Sequence, residues 1–534
     1  MKWRNSSCTF LAFAFLLIIG CSAILPVLGL QGSQSIPSSG VITYLPGILV
    51  QVDYNTRIGT NNLTLGTQLG DRWCFFADSP ELKQKARDVN FGLIRIFTAS
   101  FVDCTWNMTT HTGTYDWVAF DKFMQTIYDV EAEPLVCVGE LSSRVAGGQF
   151  YPREMSINPE TNMPYPEDYL QYTRDVLNHV KDKGWNVKYW EIFNEPDCYA
   201  FSWWAPEPAK MRVLIDLFNA IAREVHNVFP NALCGTDSSN IRGFLEHLIL
   251  YGEGVGFLSF HKYDANGHWL HNPEGYASDE EVLRRATTGV GLRGLGVCYP
   301  PDEMREKWSM ARGEELPTIC TELNLNCAWE LGTDPRIQKI IGAVWYAEVV
   351  RDFALRGVDG SLWFVFDSDE YWDGGWGESK LTCRYGFGMV ADGRPDPDGI
   401  YPPYIEFYPL KLHRMLSNNF SVGDTLYQCT SSDPTAVSCL AWRHGNDLKL
   451  LLIGKQDVDS RVYNTDDIYV NPPPPEPYNV KLDLGISEGA SITVQRIERT
   501  GIIEGSIQTV TIKYTEPLAI TLNGYTILLL SITA

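Results

Sequence analysis

The chain holds 534 residues, too many for one average domain of ~100–200 residues. With 45% hydrophobic and 20% charged residues it has the make-up of a globular chain, not a disordered one. The net charge of −22 argues against nucleic acid or an anionic membrane surface as a partner.

At the N-terminus, Lys2 and Arg4 precede an apolar run over 10–30, broken by Gly20, Cys21 and Pro26. Residues 1–30 read as a signal peptide or a membrane anchor, in three versions. Cleavage can follow Gly29, a lipid can be left on Cys21, or the run can remain as an anchor. Each version puts the rest outside the cytoplasm, extracellular or held at the cell surface. Residues 31–47, rich in Gly, Ser and Pro, read as a linker. The 13 Cys residues include no C-x-x-C pair, so a zinc or thioredoxin-like site is not expected. Cys429 and Cys439 flank a polar turn, as two thiols or as a hairpin disulfide. Asn62, Asn107 and Asn419 begin possible glycosylation sequons.

Residues 48–61 hold a first strand, at 48–53, that joins a later sheet. Strands and helices then alternate through 62–417. A strand at 63–68 precedes a helix opened by Ser79-Pro80-Glu81, with Ser79 as N-cap. A strand at 93–97, a helix at 117–130 and a strand at 134–138 follow. The helix at 166–183 puts Leu170, Leu177 and Val180 on one face. Strand four spans 187–193. A helix at 206–228, strand five at 232–235, a helix at 241–250 and strand six at 257–260 come next. An insertion over 266–317 separates these from strand seven at 316–321. Asp334-Pro335 caps a long helix, and strand eight at 361–366 and a helix at 405–416 close the series. Eight strand–helix repeats predict an α/β fold, a closed (β/α)8 TIM barrel. A doubly wound open sheet is the other topology, but no Gly-x-Gly-x-x-Gly follows the first strand. Residues 418–534 change character, with strands at 448–453, 480–484, 491–497, 509–514 and 525–532. These predict a C-terminal all-β sandwich, with a stiff loop at 472–475.

Two strand ends carry the chemistry. Trp190-Glu191-Ile192-Phe193-Asn194-Glu195-Pro196 ends strand four; alternation puts Glu191 and Phe193 on the face opposite Ile192 and Asn194. Cys320-Thr321-Glu322-Leu323-Asn324 ends strand seven. Barrel sites sit at the C-terminal strand ends, so Glu195 and Glu322 are expected to face each other across one mouth. A lone Glu at a strand end is more often a rim salt bridge; two of them with Asn194 beside one shift that balance. A facing carboxylate pair suits glycoside cleavage, one acid protonating the leaving oxygen and the other staying ionised. The gap between them, which sequence does not measure, separates retention from inversion.

This arrangement resembles clan A of the glycoside hydrolases, which carry Asn-Glu on strand four and Glu on strand seven of a (β/α)8 barrel. Within the clan it most resembles family 39, which contains β-xylosidases and α-L-iduronidases. Ser259-Phe260-His261-Lys262-Tyr263 resembles the family's segment after strand six. Trp363 matches the clan's strand-eight aromatic. Tyr385-Gly386-Phe387-Gly388-Met389 and Pro403-Tyr404 resemble the segments beyond it. The resemblance covers roughly residues 48–534 and implies Glu195 as acid/base and Glu322 as nucleophile. It implies that Tyr263 hydrogen-bonds the nucleophile, that Arg95 at the end of strand two lies near Glu322, that His261 touches substrate or satisfies a buried backbone group, and that Trp363 lies under the sugar. Strand two departs from the pattern, since no His follows Arg95-Ile96-Phe97.

The expected activity is a retaining hydrolysis of oligo- or polysaccharide, β-xylosidase-like, with an endo-acting β-glycanase as the alternative. A non-catalytic carbohydrate-binding surface protein and a sugar-transferring enzyme are the other readings. No cofactor or metal is expected. Asp367, Asp369 and Asp373 lack the rest of a calcium loop, so 367–378 reads as a solvated acidic loop. Trp203, Trp204, Trp372 and Trp376 are further candidate sugar platforms.

Overall fold

Apolar strands followed by amphipathic helices build the larger part of the molecule. The computed structural model describes residues 47–70, 74–138, 155, 157–158, 163–196, 208–237, 242–265, 277–288, 299–326, 334–368, 387–391, 393, 403–457, 476–499 and 507–533. Eight parallel strands, numbered one to eight here, are Thr64–Gln68, Leu93–Phe97, Glu133–Val138, Tyr189–Ile192, Leu233–Gly235, Leu258–Ala265, Thr318–Asn326 and Gly360–Trp363. Hydrogen bonding runs in the order 5-4-3-2-1-8-7-6. The gap between strands five and six is bridged by Cys234 with Val255 and Asp237 with Ser259. There the Gly256 N–H also donates to the Cys234 carbonyl at 2.7 Å. The sheet is therefore a closed (β/α)8 barrel, as the repeats predict.

Local signals set the helices. Ser79 accepts from the Leu82 N–H and caps Pro80–Val89. Helix Pro166–Asp182 buries Tyr169, Tyr172, Val176, Leu177 and Val180 along one stripe. Asp334 caps only a short 3-10 turn, Pro335–Ile337; the long helix begins afresh at Ile340 and runs to Arg356. That helix is buried nearly all round because barrel strands lie on one side of it and the β-rich C-terminal part on the other. The region over 266–317 contributes two helices of its own, Asp279–Ala286 and Pro301–Arg312. A hairpin of Asp103–Asn107 with Thr112–Asp116, which alternation did not signal, follows strand two.

A second sheet of nine strands is mixed. The N-terminal strand Ile48–Thr60 pairs antiparallel with Thr425–Ser431 and parallel with Pro477–Asp483. Thr425–Ser431, Val437–His444 and Leu518–Asn523 are strands beyond the five expected ones. The sheet curls over its own core, so that Arg496 Nη1 donates to the Thr521 carbonyl. Its central strands are buried on both faces. Leu450 and Leu452 enter the sandwich core, while Leu451 and Ile453 join the barrel's. That double burial explains the unbroken run Leu450-Leu451-Leu452-Ile453. Arg351 and Glu348 of the long helix reach across to the Cys439 carbonyl and to Lys455.

Cys429 and Cys439 stand opposite each other, two residues beyond the pairing of Tyr427 with Ala441. Their thiols face each other and are unlinked. Asn62 and Asn107 are exposed, whereas the Asn419 amide is engaged with the Met415 carbonyl and Lys449. Among the described residues no helix is long and apolar enough to cross a membrane. Residues 1–30, the 472–475 loop and Trp203, Trp204, Trp372 and Trp376 lie outside the described residues.

Candidate active site

The barrel interior is layered. Leu93, Leu135, Phe257, Ile319 and Leu362 form an apolar floor, with Tyr189 and Leu233 against it. Two residues further along strands two, three, four and seven come Arg95, Cys137, Glu191 and Thr321, since side chains alternate with period two. Polar groups replace apolar ones within a single step along the axis.

Arg95 organises this layer. It is fully buried, in the middle of strand two and not at its end. Nε donates to Glu191 at 2.6 Å, and Nη1 donates to Gln68 and to Glu322, both at 2.8 Å. Nη2 donates to the Asn194 side-chain oxygen at 2.8 Å. The Phe97 ring lies 4.4 Å from the guanidinium carbon. Burial works against the Arg95 charge, but Glu191, Cys137 and Glu322 outweigh it and hold the guanidinium well above its ordinary value.

Strand four departs from the expected alternation. Glu191 faces the barrel axis, where Arg95 and the Thr321 hydroxyl hold it. Phe193 has a φ of 70°, and its ring lies against Tyr169 of the surrounding helix at 5.8 Å. Ile192 and Phe193 thus both turn toward the helices, and Asn194 swings back to the axis beside Glu191's partner. Glu195 follows at φ 44°. A left-handed non-glycine residue costs roughly 1–3 kcal/mol and is concentrated at functional sites.

Strand seven has a matching irregularity. Phe260 pairs with Cys320 but His261 pairs with Glu322, so Thr321 is an extra residue. This bulge lets Thr321 and Glu322 both face inward. Strands six and seven also run further than their apolar cores indicate, so His261, Tyr263 and Glu322 lie on strands, not after them. The polar stretch His261-Lys262-Tyr263-Asp264 belongs to a strand because each face is satisfied. Lys262 and Asp264 pair at 2.9 Å, and Asp264 accepts from Trp345 of the long helix.

Glu195 and Glu322 meet across the mouth. Donor atoms of Glu195, His261 and Glu322 lie within 4.8 Å of one another. Tyr263 donates to Glu322 Oε2 at 2.6 Å, and Arg95 occupies Oε1. His261 Nδ1 lies 2.7 Å from Glu195 Oε1. All five are buried. A divalent cation could reach the same three donors, but a fixed guanidinium on Glu322 makes the position unfavourable for one.

Asn194, Arg95, His261 and Tyr263 therefore converge with the two acids. Trp363 does not. It is wholly buried, edge-on to Trp345 and Tyr346 of the outer helix, with Nε1 donating to the Phe387 carbonyl. Its ring has no free face for a sugar, because its place in the strand's alternation points outward. Asp367 is not solvated either: it is buried, accepting from the Phe75 and Phe76 N–H groups. Gln68, Glu191 and Asp237 are members of the cluster that sequence reasoning missed. An acid inside the apolar run Trp190-Glu191-Ile192-Phe193 was the available signal, since such a group needs a buried partner.

No protein-family profile matches the chain, and no curated protein matches it in sequence. Its fold is shared with solved structures. One is a monomeric β-xylosidase from Caulobacter crescentus CB15, at TM-score 0.61 and 15% identity, covering 91% of this chain and 99% of that one. Another is a family 39 enzyme from Xanthomonas axonopodis pv. citri, at 0.60 and 15%, covering 92% and 98%. A third is a family 51 α-L-arabinofuranosidase from Thermotoga petrophila RKU-1, at 0.60 and 10%, covering 91% and 99%. The barrel-plus-sandwich fold is thus shared with these three enzymes over nearly their whole length.

Proposed function

We propose that the chain is a retaining glycoside hydrolase acting on oligo- or polysaccharide by double displacement, with short β-xylosides as its leading substrate class. One observation carries the reading: two buried glutamates, Glu195 just past strand four and Glu322 on strand seven, approach within 4.8 Å across the barrel mouth. That approach favours direct attack over the ~6.5–9.5 Å gap that admits an inverting water.

In this reading Glu322 attacks the anomeric carbon. The hydrogen bonds it accepts from Arg95 and Tyr263 favour its ionised form. Glu195 gives its proton to the leaving oxygen as the glycosidic bond breaks. A water then gives a proton back to Glu195 and attacks the same carbon, and Glu322 leaves as a carboxylate. Asn194, oriented by Arg95, is placed to meet a sugar hydroxyl. The substrate class leans on similar structures described as β-xylosidases, and the apolar N-terminal run supports export or surface anchoring.

The test is a panel of aryl β-xylosides, β-glucosides and α-arabinofuranosides with wild type, Glu195→Gln and Glu322→Gln. Turnover in Glu322→Gln is expected to fall by ~10³-fold or more, as for the loss of a catalytic nucleophile. Full turnover in either variant overturns its assigned role. A product released with inverted anomeric configuration overturns double displacement. Single sugars released from xylo-oligomers support the β-xylosidase-like reading, whereas mid-chain cleavage replaces it with an endo-glycanase.

A further inference from the structure

We infer that Asp237 is a positioning residue that keeps a proton on the His261–Glu195 pair. The inference rests on the hydrolase reading above. Asp237 lies just past strand five and is bridged to Ser259 of strand six. Its carboxylate is wholly buried, with Oδ2 at 3.5 Å from His261 Nδ1. The same nitrogen lies 2.7 Å from Glu195 Oε1 and 3.3 Å from Glu322 Oε2.

Three carboxylates thus surround one imidazole nitrogen, which offers at most one hydrogen. Among the described residues these are the ionisable groups facing His261: Glu195 from strand four, Asp237 from strand five and Glu322 from strand seven. Behind Glu322 stand Arg95 of strand two and Tyr263 of strand six, which already donate to it. The charge of Glu322 is therefore answered from its far side. At 3.5 Å from Nδ1 the Asp237 carboxylate is close enough for its charge to bear on the His261–Glu195 pair, as it does on the buried Cys320 thiol. A buried anion at this range favours whichever state of the pair holds the additional proton.

That proton is the one the leaving oxygen needs. The 2.7 Å contact lets it sit on either Glu195 or His261 Nδ1, with the other as acceptor. Asp237 stabilises the loaded pair without touching the sugar. When Glu195 has delivered the proton, water restores it in the second half-reaction.

The experiment compares wild type with Asp237→Asn, which keeps the shape and removes the charge. The alkaline limb of kcat/KM on a poor-leaving-group aryl glycoside is expected to move about one pH unit toward acid. KM and the acidic limb stay in place. The defect shrinks on a dinitrophenyl glycoside, whose leaving group needs no proton. Unmoved limbs with a uniformly lower kcat overturn the inference and leave Asp237 a structural role. The His261 imidazole is also titrated by NMR in both proteins, which needs no turnover. An unchanged midpoint there likewise overturns it. A wild type that cleaves no glycoside refutes the hydrolase reading, while the imidazole titration still decides what Asp237 does to His261.

Discussion

Arg95, Glu191, Glu195, Asp237, His261 and Glu322 are all buried around the barrel mouth. The sandwich, by contrast, surrounds Val50, Leu450, Leu452, Leu482, Leu528 and Leu530 with aliphatic neighbours. Among its described strand residues Lys449 is the one Lys, Arg, Asp, Glu or His buried to a similar degree. Its Nζ is answered at the sheet surface by Asp447, Asn419 and Ser531. Burying charge is expensive unless every charge has a partner. The sandwich avoids the expense. The barrel accepts it, in paired positions such as Lys262 with Asp264 and Arg336 with Asp334, and most densely at its mouth, where ionised groups facing each other are what proton transfer and nucleophilic attack require. Stability and chemistry are therefore separable by region, and each variant below is a way to press on that division.

Arg95→Met should do the most damage. It leaves Glu191 and Glu322 buried without their shared cation, at a cost of ~3–5 kcal/mol. Denaturant unfolding and turnover should fall together, and a variant of wild-type stability would remove the contrast. His413 comes next, because it is a buried ionisable group of the barrel outside the site. Burial pulls its pKa down to about 3. The unfolded chain takes up that proton near pH 6.5 and the folded one does not, so stability is full above pH 6.5. It then declines as pH falls from 6.5 to 3, by up to about 5 kcal/mol. In His413→Gln that part of the slope should flatten in unfolding curves measured across this range.

Leu452→Ala opens a cavity in the sandwich core and should cost ~2–5 kcal/mol. Thermal unfolding should register the loss, while kcat at low temperature stays at the wild-type value. A changed pH–rate profile in this variant would show that the two regions are not separable. The smallest effect is expected at Cys429 and Cys439. A mild disulfide reagent should link these opposed thiols and raise stability by up to ~3 kcal/mol. Cys429→Ser should not respond, and mass spectrometry of the linked peptides reads the difference.

The barrel was legible because each strand is apolar, each helix is amphipathic, and the pattern recurs eight times. The pairing of Glu195 with Glu322 was legible because strands four and seven of a closed eight-strand ring must face each other. The central sandwich strands were legible as strands but not as a second contact surface. An unbroken apolar run does not say what covers its two faces. Polar strand ends such as His261-Lys262-Tyr263-Asp264 were read as loop, because the Lys262–Asp264 pair and the Trp345 hydrogen bond that satisfy them come from tertiary packing.

By itself the sequence determined the barrel, the sandwich that follows it, and which two strands carry the acids. Periodicity and order along the chain are enough for that. Only the tertiary structure decided which neighbours of those acids face inward. Side-chain direction in a strand has period two, so one residue out of step reverses it. The left-handed Phe193 turns Asn194 back beside Glu191, and the extra residue Thr321 carries Glu322 inward beside it. Both steps depend on partners far along the chain, Tyr169 behind Phe193 and Glu191 beneath Thr321.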